Sequence, residues 1–108
     1  MRLKNNLRIE ISNEVNGDNK VFLAKRGKPI PTCCSFYFTQ PSESILLLKY
    51  GDKTLLWEVI PCAKRVVVNK LKITKFTLSF NLVADGKMLG RHHASLHNSV
   101  ANLSLSRL

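Results

Sequence analysis

Residues 45–60 read Ile45-Leu46-Leu47-Leu48-Lys49-Tyr50-Gly51-Asp52-Lys53-Thr54-Leu55-Leu56-Trp57-Glu58-Val59-Ile60, two β-favouring runs on either side of a Gly-Asp pair. Glycine takes a positive φ without steric cost, and a two-residue connection with that geometry at its first position joins antiparallel neighbours. The stretch therefore predicts a hairpin, and a mainly β fold around it. In the second strand, simple alternation puts Leu55, Trp57 and Val59 on one face and turns Glu58 away, which makes Trp57 an expected core anchor. Pro61 has no N–H for a ladder and is expected to end the strand.

Toward the N-terminus, Leu7, Ile9 and Ile11 alternate with Arg8, Glu10 and Ser12, the period of a strand with one wet face. Asn16-Gly17-Asp18-Asn19 supplies turn chemistry, and Lys20 to Ala24 resumes an extended pattern, so the two segments read as a hairpin. Lys25-Arg26-Gly27-Lys28-Pro29-Ile30-Pro31 combines three cations with a glycine and two prolines and is expected to be an exposed loop. From Thr32 to Thr39, Cys34, Phe36 and Phe38 share a face, before Gln40-Pro41-Ser42-Glu43 is expected to break the run.

Toward the C-terminus, the apolar phase between Arg65 and Leu82 slips twice. A slip of one residue flips every later side chain, so this segment must hold two strands, or one bent strand with bulges near Asn69-Lys70 and Thr74-Lys75. Asp85-Gly86 is a strong hairpin signal and implies that Lys87 to Arg91 turns back along the preceding strand. After Arg91 the texture becomes small and polar, and two readings compete for 92–108. Leu96, Val100 and Leu103 have helical spacing, whereas Leu103 and Leu105 alternate; a short helix or a loosely packed tail is favoured.

The expected architecture is thus one domain over 1–108, built from six to eight short, mostly antiparallel strands. They form a curved sheet, a partly closed barrel or a sandwich, with at most one short C-terminal helix. The expected core comprises Ile9, Ile11, Phe36, Phe38, Leu47, Leu55, Trp57, Val66, Val68, Phe76, Leu78 and Phe80.

The chain carries 17 Lys and Arg against 7 Asp and Glu, a net charge of +10. The excess is uneven: residues 1–58 hold nine basic and six acidic side chains, residues 59–108 eight and one. Such a surplus favours a polyanionic partner without specifying one. The three cysteines, Cys33, Cys34 and Cys62, give no disulfide framework, and no apolar run is long enough to span a bilayer. Together these point to a soluble protein of a reducing compartment, cytoplasm or nucleus, with no membrane partner.

No phosphate-cradling glycine motif, nucleophile elbow or paired-carboxylate arrangement is present, so a non-enzymatic role without a cofactor is expected. His93 and His97 would share one face of a helix, as in some zinc sites, but the further ligands are lacking and His92, His93 and His97 read as surface residues. What remains is the basic set. Lys64, Arg65, Lys70, Lys72 and Lys75, assisted by Lys25, Arg26 and Lys28 in the loop, are the expected contacts to a phosphate backbone, read with low sequence specificity. Tyr37, on the wetter face of its strand, is a candidate to stack on a base. The competing reading is a protein interaction module that uses an exposed β edge or face, including homodimerisation. A module of that size suits an accessory factor of a virus, phage or mobile element.

Overall fold

A computed structural model describes residues 2–13, 15 and 17–97. Six strands follow one another: β1 (Leu7–Ser12), β2 (Asn19–Ala24), β3 (Cys33–Tyr50), β4 (Lys53–Ile73), β5 (Thr77–Ala84) and β6 (Lys87–Ser95). They form a single antiparallel sheet in the order β2-β1-β3-β4-β5-β6, which does not close into a barrel. The predicted hairpins are all present. Gly51 has φ +63°, and Asp85 and Gly86 both have positive φ (+49° and +79°), the paired left-handed geometry that matches strand twist.

The strands are not uniformly short. β3 runs 18 residues and β4 runs 21; at about 3.3 Å per residue a straight β4 would be roughly 70 Å long. The molecule measures only 36 Å along its longest axis, so the central hairpin must bend sharply. The bend lies where register shifts fall between the successive pairs Tyr37–Arg65, Ser42–Ala63 and Ser44–Ile60 of β3 and β4. Pro41 and Pro61 both fall in it. Neither can donate to a ladder, but a bulge leaves residues unpaired, so both strands pass through the expected breaks rather than ending there. Asn13, buried at the end of β1, fastens this bend by donating from Nδ2 to Ser42 Oγ.

The bend divides the sheet into a proximal half (β2, β1, the end of β3, the start of β4) and a distal half (the start of β3, the end of β4, β5, β6). Their inner faces enclose one core that includes Leu7, Ile9, Leu48 and Ile60 from the proximal half and Phe36, Val68, Leu78 and Phe80 from the distal half. Across it, His92 on β6 meets Glu58 on β4, Nε2 to Oε2 3.3 Å, with the imidazole stacked on Phe80 at 5.1 Å between ring centroids.

Several sequence expectations are corrected here. Trp57 is 49% exposed, because β4 is bulged at Leu55: Leu48 pairs with Leu56 and Lys49 with Thr54, leaving Leu55 as the extra residue. Leu55 and Leu56 are both buried, the alternation inverts, and Glu58 and Ile60 turn inward in place of Trp57 and Val59. Leu47, opposite Trp57, is half-buried on that outer face, and Phe76 is exposed in the turn before β5. His92, expected on the surface, is buried. Residues 92–95 continue β6 rather than starting a helix, because their pairing with Thr77 to Phe80 satisfies the backbone as a ladder; 98–108 lie outside the described residues. No helix occurs among the described residues, and so none there is long and apolar enough to cross a membrane.

Candidate nucleic-acid interface

The outward side chains of the distal half follow from its register. Tyr37 lies opposite Arg65; Ser35 joins Val67, Val83 and Met88; Cys33 joins Asn69, Asn81 and Arg91; Lys72 joins Ser79 and His93; Thr77 joins Ser95. None of these rows contains a carboxylate. Arg65, Lys72, Arg91 and His93 are exposed, and among the described residues none of them is in an ion pair. Lys64, Lys70 and Lys87 stand exposed beside the rows.

Tyr37 is 60% exposed, and the Arg65 guanidinium lies over its ring, 5.6 Å from the centroid. A cation held there presents a flat aromatic and a planar charge side by side. Asp85 stands at this corner, and its carboxylate is turned to the backbone. Its Oδ1 accepts from Lys64 N at 3.1 Å and Arg65 N at 2.9 Å, while its own N–H donates to Arg65 O at 2.9 Å. Asp85 therefore secures the strand beneath Arg65 without pairing with the guanidinium, which rests on Tyr37. At the bulge, Lys70 takes φ +52°, with its N–H donating to Asn69 Oδ1 at 3.0 Å.

The residues expected from sequence are thus split into two groups. Lys64, Arg65, Lys70 and Lys72 belong to the distal outer face or its margin. Lys75, in the turn between β4 and β5, lies instead at the open end of the folded sheet, where it lines the same cavity as Arg26 although 49 positions separate them. Lys25 and Lys28 flank Arg26 in an exposed loop that is held to the N-terminal segment through Leu3 N to Lys28 O and Gly27 N to Leu3 O, both 2.9 Å. Arg91, Asn69, Asn81 and His93 complete the distal face and were not singled out by charge clustering; the Asp85-Gly86 hairpin, carried through in register, places Arg91 beside Asn81.

The cysteines are free: Cys34 is buried, with its thiol pushed up to about 12 by burial, and Cys33 and Cys62 are exposed. Among the described residues, no three His, Cys, Asp or Glu side chains gather as metal ligands. Comparison with protein-family models, curated proteins and solved structures finds no match.

Proposed function

We propose that the distal outer face binds single-stranded nucleic acid, holding phosphates with Arg65, Lys72 and Arg91 and stacking a base on Tyr37, with little sequence selectivity. The observation that carries this reading is a sheet face whose rows contain no carboxylate and which presents an exposed tyrosine beside an arginine. Cations without carboxylate partners neutralise phosphates at low desolvation cost, and an aromatic platform accepts any base because every base has a π-face. Asn69 and Asn81, side by side in the row of Arg91, can donate to or accept from sugar and base edges alike. A single strand exposes its base faces to such a sheet, whereas a duplex hides them. Lys64 and Lys70 extend the positive field at the margins.

Titration of short single strands and duplexes across several salt concentrations tests this. Contact with about five phosphates gives a slope of log affinity against log salt near −3.5 for a single strand. Arg65→Gln with Lys72→Gln lowers that slope by about 1.4, while Tyr37→Ala weakens single-strand binding by roughly 1–3 kcal/mol and leaves the slope in place. Absence of binding at low salt would end the proposal.

A second reading rests on the opposite side of the molecule. The outer face of the proximal half brings together Val21, Leu23, Ile45, Leu47, Trp57 and Val59, four of them among the exposed large hydrophobics. Here the charges nearly balance: Arg8 pairs with Glu10 at 3.1 Å, and Lys49, opposite Arg8, leaves a single cation over. On a chain of net charge +10, that face offers a second copy apolar contact with little like-charge repulsion, and a homodimer is the occupant it suits.

A further inference from the structure

The open end of the folded sheet holds a cleft of about 630 Å³. Among the described residues, five cations line it, Arg2, Lys4, Arg26, Lys53 and Lys75, drawn from the N-terminal segment, the β2–β3 loop, the start of β4 and the β4–β5 turn. Asp52 is the one carboxylate in the lining among the described residues. Gathering so many like charges around one space costs electrostatic free energy, and a bound anion lowers that cost. All five cations are exposed, whereas Leu3, Tyr50 and Ile73 of the same lining are buried, so an apolar inner wall lies beneath a cationic mouth.

The mouth is braced before any ligand arrives. Arg26 N donates to Asn6 Oδ1 at 2.8 Å and Arg2 Nη1 to Gly27 O at 2.8 Å, which fixes the loop against the N-terminal segment. Lys4 N donates to Tyr50 Oη at 3.2 Å, and Gly51 N to Asn6 O at 2.8 Å, which fixes that segment against the turn between β3 and β4. Gly51 is needed at this turn. Its φ is +63°, and a Cβ there would sit 3.3 Å from the Asn5 side chain, so the close approach of Asn5 depends on glycine.

The dimensions and the lining together define the ligand class. A cleft of this volume is in the usual range for small-molecule sites and far larger than a lone inorganic anion needs. An apolar wall suits an aromatic base, the Asn5 and Asn6 amides suit its polar edges or a sugar, and the cations suit a phosphate. We propose that the cleft binds a nucleoside 5′-monophosphate, either free or as the 5′-terminal nucleotide of a strand. The site is separate from the distal outer face and does not depend on that face binding nucleic acid.

Calorimetric titration of the whole chain with AMP, adenosine and inorganic phosphate tests the proposal. AMP is expected to bind at least about tenfold more tightly than either fragment, and Arg26→Gln with Lys75→Gln to weaken it by about tenfold or more. Arg65→Gln with Lys72→Gln, on the distal face, should leave AMP binding unchanged. Equal affinity for AMP and inorganic phosphate, or equal losses in the two variant pairs, would overturn the assignment, since either result would mean that net charge alone is being read. Short oligonucleotides with a 5′-phosphate or a 5′-hydroxyl then separate the two sources. A preference for the phosphorylated end that is lost in Arg26→Gln with Lys75→Gln identifies a strand terminus as the occupant; AMP binding without such a preference identifies the free nucleotide. Loss of 5′-hydroxyl strand binding only in the distal-face variant would report on the proposed nucleic-acid interface alone.

Discussion

Burial holds the His92 imidazole below its ordinary value of 6.5, so the folded chain keeps this residue neutral at pH 7, with Nε2 3.3 Å from Glu58 Oε2. The unfolded chain takes up the proton more readily than the folded one. The stability tied to His92 is therefore present above about pH 6.5 and is lost as pH falls below it. Urea midpoints measured from pH 7.5 to 5 should drop in the native chain and drop less in His92→Gln, which keeps a donor for Glu58 but cannot titrate; parallel curves would refute the assignment. Neighbouring side chains differ as sharply. Phe80→Ala, at 1% exposure, should cost about 3–5 kcal/mol, whereas Trp57→Ala on the outer face should cost less than about 1 kcal/mol in the monomer. Trp57 is the sole tryptophan, so its fluorescence checks the same point: ready quenching by iodide is expected from the half-exposed indole at concentrations where the chain is monomeric.

At the scale of elements, turns and bulges decide which way side chains point. The β5–β6 hairpin depends on left-handed residues at both turn positions, and the space around Gly86 is open. Gly86→Ala therefore meets no clash, and its expected cost of about 1 kcal/mol is purely conformational; thermal denaturation showing no change would contradict the turn geometry. The bulge at Leu55 has a wider effect. One extra residue in β4 sends Glu58 into the core and Trp57 to the surface, and so creates both the inner carboxylate–imidazole pair and the outer apolar face. The bend at Pro41 and Pro61 acts on the whole sheet, giving it two inner faces that bury each other instead of one that would remain wet.

At the scale of the molecule, the two outer faces differ in chemistry. The distal one is basic and polar; the proximal one is apolar and close to charge balance. Pairing two copies through their proximal faces would leave both distal faces open for nucleic acid. Light scattering over a wide concentration range should then report a dimer that Trp57→Asp with Leu47→Asp converts to a monomer. A native chain that remains monomeric throughout would remove the self-association reading without touching the distal face.

Local chemistry was enough to read an antiparallel strand architecture, the hairpins at Gly51-Asp52 and Asp85-Gly86, the cationic loop at 25–31 and the phase slip near Asn69-Lys70, because turn residues and side-chain alternation act over a few positions; it did not foresee that β3 and β4 continue through Pro41 and Pro61 or that 92–95 belong to β6. The same local reading identified Arg65, Lys72 and Tyr37 as exposed. It could not show that Arg65 lies over Tyr37, that Arg91 joins Asn69 and Asn81, or that Arg26 and Lys75 share one cleft, since those juxtapositions depend on pairing between distant segments. Nor could it place Trp57, Glu58 and His92. A single bulge inverts the facing of everything beyond it, and whether Leu55 is an extra residue is decided only when β3 and β4 are in register and the two halves of the sheet close on a common core.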